Sequence, residues 1–200
     1  MSERVSFAFD FDGVVTNPHD IKSQELIRLG YNIPPKHTER LYCVEKLGVP
    51  LEIYERAAHK ANIVRLLEVP LEKGARDVLA RLARGNVNLV IVTSRTQPEV
   101  ESLLAYLQIN EIEVDHIINT QRKSKLEAIR TISPIMYVDD SPSKLKDLLQ
   151  LEDSCSLFLY RNVANSHWVS DGGQDKWLQG KWGEIELHFS RLANMLIGKR

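Results

Sequence analysis

The chain has 200 residues, with 26 basic and 27 acidic side chains and a net charge of −1. This balance gives no whole-molecule field that would attract nucleic acid or an anionic membrane, so we expect neither as a partner and look for local anion binding. The length fits one ordinary domain, or one domain with a modest insertion, whereas two full-sized domains would be cramped.

Cysteine use and the N-terminal sequence both favour the cytoplasm. Cys43 and Cys155 are far apart and have no metal-like spacing, which suits free thiols in a reducing compartment. Residues 1–4 run straight into a strand-like segment, without an apolar stretch of signal-peptide length. No run approaches the roughly 20 apolar residues that span a bilayer. We therefore expect a cytoplasmic protein.

The first third of the chain changes from a strand to helices. Val5 to Phe9 is a short apolar run with β-branched and aromatic members, which predicts a buried strand. From Asn17 onward, apolar residues recur at helical spacing in three segments, and the last of them ends near Pro70. Residues 17–69 are therefore predicted to be all-helical, as an insertion directly after strand one.

Helices and strands alternate after Pro70. The predicted strands are Val87–Val92, Val114–Ile118, Ile135–Val138 and Ser156–Tyr160. The strand Val87–Val92 is almost wholly apolar, which indicates burial on both faces, as in a parallel sheet. The pattern predicts an α/β fold with a doubly wound, mainly parallel, five-stranded, Rossmann-like sheet. Residues 1–16 and 70–200 would form this core, and residues 17–69 a small helical cap.

The tail after Tyr160 carries three tryptophans, Trp168, Trp177 and Trp182, ahead of a last helix from about Gly183. Large hydrophobes that seal the edge of the sheet are the simplest interpretation. A platform for an aromatic substrate is the alternative.

Carboxylates, hydroxyls and cations collect where the predicted strands end, which is where ligands bind in such folds. These are Asp10 and Asp12 after the first strand, Thr93, Ser94 and Arg95 after the second, and Asp139 and Asp140 after the fourth. Ser124 and Glu127 have the spacing of a capping box, which would place Lys125 in the first turn of a helix facing the same edge. Such a mixture suits a phosphate ester held beside a divalent cation.

The chemistry of these groups points to phosphoryl transfer. Crowded carboxylates repel one another, and a hard cation such as Mg²⁺ relieves the repulsion while bridging to phosphate oxygens. One carboxylate of Asp10 and Asp12 can attack phosphorus to form an aspartyl-phosphate, and the other can carry protons. Thr93 can donate a hydrogen bond to a phosphoryl oxygen, with Ser94 beside it, and Lys125 can neutralise charge there.

Four segments match, in order, the motifs of a known superfamily. They are Asp10-Phe11-Asp12-Gly13-Val14, the strand ending at Thr93, Lys125, and Tyr137-Val138-Asp139-Asp140. Over residues 5 to 160 the chain resembles the haloacid dehalogenase superfamily of aspartate-nucleophile phosphohydrolases, of the phosphatase type with a small helical cap after the first motif. Val138, where many members have glycine, departs from the pattern.

The resemblance implies a role for each matched residue. Asp10 would be the nucleophile, and Asp12 the general acid/base and a metal ligand through its backbone carbonyl. Asp139 would be a metal ligand, and Asp140 either a ligand or a partner of one. Lys125 is favoured over the nearby Lys123 as the motif lysine because of its place at the helix start.

Two residues that lie near the motifs in the sequence are not expected to contact the substrate. His19 follows the first motif, and a surface loop is its favoured interpretation. Arg95 is expected at the surface or behind the ligands rather than on a phosphate group.

These observations predict a magnesium-dependent phosphatase that hydrolyses a small phosphate monoester, such as a sugar phosphate or a nucleotide, through an aspartyl-phosphate. The alternatives are a phosphomutase acting on a sugar phosphate and a non-catalytic, phosphate-binding regulatory protein. A dehalogenase is disfavoured, because that chemistry does not need the second carboxylate, Asp12.

Overall fold

The structure is a computed structural model that describes residues 4–168 and 177–197, without the side chains of residues 196 and 197. The prediction made from the first residues of the chain lies partly outside these ranges. No helix within them is long and apolar enough to cross a membrane.

The described residues form a sheet and seven α-helices, joined by short 3₁₀ and π turns. The strands are β1 (Ser6–Phe9), β2 (Asn88–Thr93), β3 (His116–Asn119), β4 (Met136–Asp139), β5 (Ser156–Tyr160) and β6 (Leu178–Gly180). The helices are α1 (His19–Arg28), α2 (Leu51–His59), α3 (Ala75–Arg84), α4 (Gln97–Ile109), α5 (Leu126–Ile132), α6 (Pro142–Asp147) and α7 (Trp182–Ile197).

The sheet has the strand order β3-β2-β1-β4-β5-β6, and every neighbouring pair is parallel. Phe7 at the centre is in register with Leu89 of β2 on one side and Met136 of β4 on the other. The chain builds outward from β1 to β3 and then crosses to β4, so the strand order reverses between β1 and β4. Their carboxyl ends therefore flank the crevice in which doubly wound folds bind ligands. The predicted fold class is confirmed.

The predicted number of strands is one too few, because β6 extends the described sheet at the β5 edge. Its three residues pair with β5, and the backbone N–H of Arg161 donates to the carbonyl of Gly180 at 2.7 Å. Leu178 is 37% exposed, and neither of its successors is apolar. An edge strand this short and this exposed has no hydrophobic pattern by which the sequence could reveal it.

Helices cover both faces of the sheet. Alternate residues of the strands point to opposite faces, so Phe7 and Phe9 pack with α3, α4 and α7, whereas Ala8 packs with α5 and α6. The side chains that cover the first face include Leu79, Leu103, Tyr106, Ile185 and Phe189, and those on the second include Ile129 and Leu145. Two apolar layers thus hold the carboxyl edge of the sheet in place.

The tryptophans of the tail belong to this core, as the simpler interpretation predicted. Trp182 is fully buried against the rings of Phe7 and Phe9, and its indole N–H donates to the carbonyl of Val14 at 2.9 Å. Trp177 and Trp168 pack on the opposite face. The bond to Val14 also ties the start of α7 to the end of the first motif.

Residues 17–69, called the insert below, are helical and contain a small apolar cluster of their own. Its buried members are Leu26, Ile33, Cys43, Val49, Tyr54 and Ala57. The chain enters and leaves at a single neck, where the N–H of Asn17 donates to the carbonyl of Pro70 and the N–H of Glu72 donates to that of Val15, both at 2.8 Å. The division into a core and a cap stays a prediction, to which this narrow neck lends support.

Replacement of Trp182 by alanine should lower the free energy of unfolding by about 3 to 5 kcal/mol, because it removes a buried aromatic side chain and leaves a cavity. Leu187→Ala on the same helix is the matched control, since Leu187 is 50% exposed and its loss should change stability by less than about 0.5 kcal/mol. Urea unfolding measures both changes. Similar losses in the two variants would contradict the assignment of Trp182 to the core.

Candidate active site

A cavity of about 930 Å³ lies between the insert and the carboxyl ends of β1, β2 and β4. The sheet side contributes the predicted site residues Asp10, Asp12, Thr93, Ser94, Lys125 and Asp140. The insert contributes His19, Lys22, Thr38, Tyr54 and Asn62, among others. Side chains that are far apart in the sequence therefore meet at the carboxyl ends of the strands.

Asp10 follows β1 directly and is almost completely buried. Its backbone N–H donates to the carbonyl of Val138 at 2.8 Å, which fixes it against β4, and its Oδ1 accepts from the N–H of Phe11. Its Oδ2 lies 2.9 Å from Nζ of Lys125 and 3.2 Å from Nζ of Lys144. Burial alone would raise the pKa of Asp10, but the two ammonium groups hold that pKa well below its usual range.

Lys125 is the lysine that reaches this carboxylate. Its ammonium group also lies 2.9 Å from Oδ2 of Asp139 and donates to the hydroxyl of Tyr137 at 2.8 Å. Lys123 is exposed and lines the outer part of the cavity. The expected preference for Lys125 thus agrees with the geometry.

The local reason given for the position of Lys125 was wrong, because no capping box forms at α5. Lys125 lies at the N-cap position, one residue before the helix, and the side chain of Glu127 pairs with Arg130 instead. A capping box does form between Thr96 and Glu99 at the start of α4. There it orders the turn that follows Thr93.

Three carboxylates form a cluster that fits a hard cation. One oxygen each from Asp10, Asp139 and Asp140 lie within 4.8 Å of one another. Burial, with Asp139 and Asp10 nearby, raises the pKa of Asp140 to about 7. Carboxylate oxygens are the ligands that Mg²⁺ prefers, and a cation would lower the repulsion that this pKa reports. The donor set is therefore chemically suited to a divalent metal ion.

Asp12 does not join this cluster through its side chain. Its two carboxylate oxygens accept hydrogen bonds from Nη2 and Nε of Arg95, at 2.8 and 3.1 Å. Arg95 is 3% exposed, so of the two expected positions it lies not at the surface but behind the candidate ligands, in contact with Asp12. Its guanidinium also donates to the carbonyl of Asn62 in the insert at 2.6 Å. Asp12 is thereby joined to the insert through one side chain.

Thr93 and Ser94 lie where the sequence predicted, at the end of β2. Thr93 is buried, and its hydroxyl oxygen accepts a long hydrogen bond of 3.3 Å from the N–H of Arg95. Ser94 is partly exposed to the cavity, and its carbonyl accepts from the N–H of Arg122. Both residues line the cavity that Asp10, Asp12 and Asp140 also line.

Sequence reasoning missed two groups that the strand-end and helix-start rules could have found. Lys144 lies in the first turn of α6 and donates a hydrogen bond to Asp10. The helix start predicted at Ser141-Pro142 could have identified it. Asn162 follows β5, and its amide donates to Oδ2 of Asp140 and to the carbonyl of Gly13, both at 2.9 Å. It fixes the orientation of the Asp140 carboxylate.

Two residues of the insert were also misjudged. His19 is 2% exposed in α1, so its assignment to a surface loop was wrong. Its Nδ1 lies 2.9 Å from the hydroxyl of Thr38, and that hydroxyl donates to the carbonyl of Pro35. With the Thr38 hydrogen donated to Pro35, Nδ1 of His19 is the donor in its contact with Thr38. Lys22 on the same helix is 8% exposed and lines the cavity, and no motif in the sequence marked it.

Comparison with known proteins identifies the fold. Neither the protein-family models nor the curated proteins include a match to this sequence. Solved structures do match: a predicted phosphatase from Clostridium acetobutylicum has a TM-score of 0.66 at 12% identity, covering 95% of this chain and 100% of its own. A haloacid dehalogenase family hydrolase from Deinococcus radiodurans, solved with bound phosphate and sodium, has a TM-score of 0.61 at 14% identity, covering 95% and 96%.

A protein from Thermotoga maritima, provisionally assigned as a beta-phosphoglucomutase, has a TM-score of 0.56 at 16% identity and covers 94% of this chain and 99% of its own. These likenesses identify the fold. The chain has the haloacid dehalogenase-like fold, which confirms the resemblance drawn from its four motifs at the level of the fold.

Substitution of Gly13 tests whether the carboxylate of Asp140 packs against this residue. Its φ is +87°, and a Cβ there would overlap the carboxylate of Asp140, 2.6 Å from Cγ. Gly48 also has a positive φ, of +70°, but has open space around it. Gly48→Ala should therefore lose only about 1 to 2 kcal/mol through backbone strain. Gly13→Ala should lose more, because it also displaces Asp140, and urea unfolding of both variants measures the difference. Equal losses would show that Asp140 is not packed against Gly13.

Proposed function

We propose that this chain is a magnesium-dependent phosphatase that hydrolyses a small phosphate monoester through an aspartyl-phosphate on Asp10. The observation that carries the proposal is the cluster of Asp10, Asp139 and Asp140 with Lys125 at the topological switch point, where Asp10, Asp140 and Lys125 line one cavity. The likeness to hydrolase and phosphatase structures supports it. The substrate class is a small phosphorylated metabolite, such as a sugar phosphate or a nucleotide.

Asp10 is suited to the role of nucleophile. Lys125 and Lys144 stabilise its ionised form, so a carboxylate oxygen with free electron pairs is available at neutral pH. The backbone contacts to Val138 and Phe11 hold the side chain rigidly, so little reorganisation is needed before attack. Thr93 and Ser94 would donate hydrogen bonds to the phosphoryl oxygens, and Lys125 would neutralise the charge that develops there.

Asp12 is suited to proton transfer, with a condition set by Arg95. Both of its oxygens accept from the guanidinium group, so the pair with Arg95 competes with the contact that Asp12 would make to a leaving group or to water. Because Arg95 also donates to the carbonyl of Asn62, a movement of the insert would change the hold on Asp12. In this proposal the insert acts as a cap that closes over the substrate and sets the position of the acid/base.

The residues that would hold Mg²⁺ are Asp10, Asp139 and Asp140, with the backbone carbonyl of Asp12. When bound, the ion would neutralise charge on the phosphoryl oxygens and orient them toward Asp10. Lys144 and Asn162 keep two of these carboxylates in fixed orientations. The protein side of the chemistry is then positioning and charge compensation, as expected for phosphoryl transfer.

A phosphomutase that acts on a sugar phosphate is the second candidate, favoured by the likeness to the Thermotoga maritima structure. It would return the phosphoryl group from Asp10 to another hydroxyl of the sugar rather than to water. Product analysis separates the two functions: a phosphatase releases inorganic phosphate in step with substrate loss, whereas a mutase gives an isomeric sugar phosphate with little release.

Asp10→Asn should lower kcat for magnesium-dependent hydrolysis by about a thousand-fold or more, because it removes the nucleophile. The assay is a screen of phosphorylated metabolites, including sugar phosphates and nucleotides, with release of inorganic phosphate as the readout. A circular dichroism spectrum like that of the wild type is the control for folding. Retained activity in this variant would exclude Asp10 as the nucleophile, and failure on the whole panel would instead favour a regulatory phosphate-binding protein.

Chelation of divalent ions by EDTA should remove nearly all activity, and MgCl₂ should restore it. A readout that needs no turnover is the melting temperature, which should rise with Mg²⁺ since binding to the folded state adds about 2.7 kcal/mol of stability at a hundred times Kd. Asp140→Asn removes one charge of the cluster and should weaken this response. An equal response in both proteins would place the metal elsewhere.

A further inference from the structure

Lys22 differs from the other cations around the cavity. Lys125 and Lys144 are paired with Asp10, and Arg95 is paired with Asp12. Within the described residues, the ammonium group of Lys22 has neither a hydrogen bond nor a salt bridge, although only 8% of the residue is exposed and it lines the cavity. It is a buried positive charge without a direct counter-ion.

Lys22 belongs to α1 and lines the same cavity as Asp10, Asp12 and Asp140. Burial lowers the pKa of Lys22, and the carboxylates of Asp12, Asp140 and Asp10, in that order, counteract this effect. Each of these carboxylates already accepts hydrogen bonds from another group. Asp12 accepts from Arg95, Asp140 from Asn162, and Asp10 from Lys125 and Lys144. Lys22 therefore lies in the field of the three carboxylates without being bound by any of them.

Burial of most of the Lys22 side chain removes part of the hydration of its ammonium group, which is unfavourable while no anion replaces it. Chains retain such groups where a ligand provides the missing charge, and the cavity beside Lys22 is the place proposed for a phosphate ester. An anion paired with Lys22 would lie near Asp10 and Asp12. These residues flank the phosphorus atom in the proposed reaction, one as nucleophile and one beside the leaving group.

We propose that Lys22 binds the phosphoryl group that is transferred, reaching it from the insert while Thr93, Ser94 and Lys125 reach it from the edge of the sheet. This inference rests on the proposed function of the same site. It makes Lys22 a catalytic residue that joins the insert to the core through the substrate. Binding of phosphate would then hold the two parts together over the reaction centre.

The test is the binding of inorganic phosphate, measured by isothermal titration calorimetry in the presence of MgCl₂. Lys22→Met should weaken phosphate binding by tenfold or more, and Lys22→Arg should retain most of it. Lys46→Met is the matched control, since Lys46 is an exposed lysine of the insert that does not line the cavity. Its loss should leave phosphate binding unchanged.

The melting temperature without phosphate separates binding from folding. Lys22→Met should melt at or above the temperature of Lys46→Met, because it removes an uncompensated buried charge. A much lower melting temperature would identify Lys22 as a structural cation and overturn the inference.

The remaining outcomes also decide between explanations. Unchanged phosphate binding in Lys22→Met, with a raised KM only for esters whose leaving group carries an acid, would assign Lys22 to the leaving group and overturn the inference. Unchanged phosphate binding with unchanged KM would mean that water in the cavity solvates the ammonium group of Lys22, and this outcome would also overturn the inference. In both cases wild-type turnover would leave the proposed function intact, whereas a wild type that neither binds phosphate nor hydrolyses any ester would overturn both.

Discussion

The interaction on which the rest of the site depends is the contact of Lys125 with both Asp10 and Asp139. The two carboxylates end adjacent parallel strands, β1 and β4, at the point where the strand order reverses. Without a cation between them, their repulsion in a buried setting would oppose the register that pairs Phe9 with Val138. Lys125 therefore stabilises the strand pairing and the ionised form of Asp10, the proposed nucleophile, with the same ammonium group.

The second constraint is mechanical and runs through Arg95. Its guanidinium bonds the carboxylate of Asp12, the carbonyl of Asn62 in the insert, and the carbonyl of Glu99 and hydroxyl of Ser102 in α4. Since a guanidinium is planar with fixed donor directions, it cannot keep all of these bonds if the insert moves relative to the sheet. The hydrogen bonds of Asp12, the proposed acid/base, are thus coupled to the position of the insert. Substrate entry and proton transfer would share one structural element.

The sequence was most informative where the chemistry follows from strand ends. Asp10, Thr93 and Asp139 are each preceded by an apolar run, and parallel strands bring such ends to one edge whatever lies between them. The structure agrees with that reasoning. The same reasoning failed for β6, which has no apolar run, and for the capping box at α5, where Glu127 had a closer partner in Arg130. Spacing alone does not report which of two partners a side chain takes.

Arg95 and Lys22 show a different limit of sequence reasoning. An arginine after a strand and a lysine in a polar helix are usually solvated, and burial depends on how the insert folds back over the sheet edge. That packing is set by contacts distant in sequence, such as the hydroxyl of Tyr106 donating to the carbonyl of Val69. Four carboxylates (Asp10, Asp12, Asp139 and Asp140) then face four cations (Lys22, Lys125, Lys144 and Arg95). With all of them ionised, the formal charges cancel, so a phosphate dianion or a divalent cation entering alone would leave two uncompensated charges in a largely buried cavity. Under the proposed function, the two entering together would leave none, and this charge balance would favour their binding as a pair.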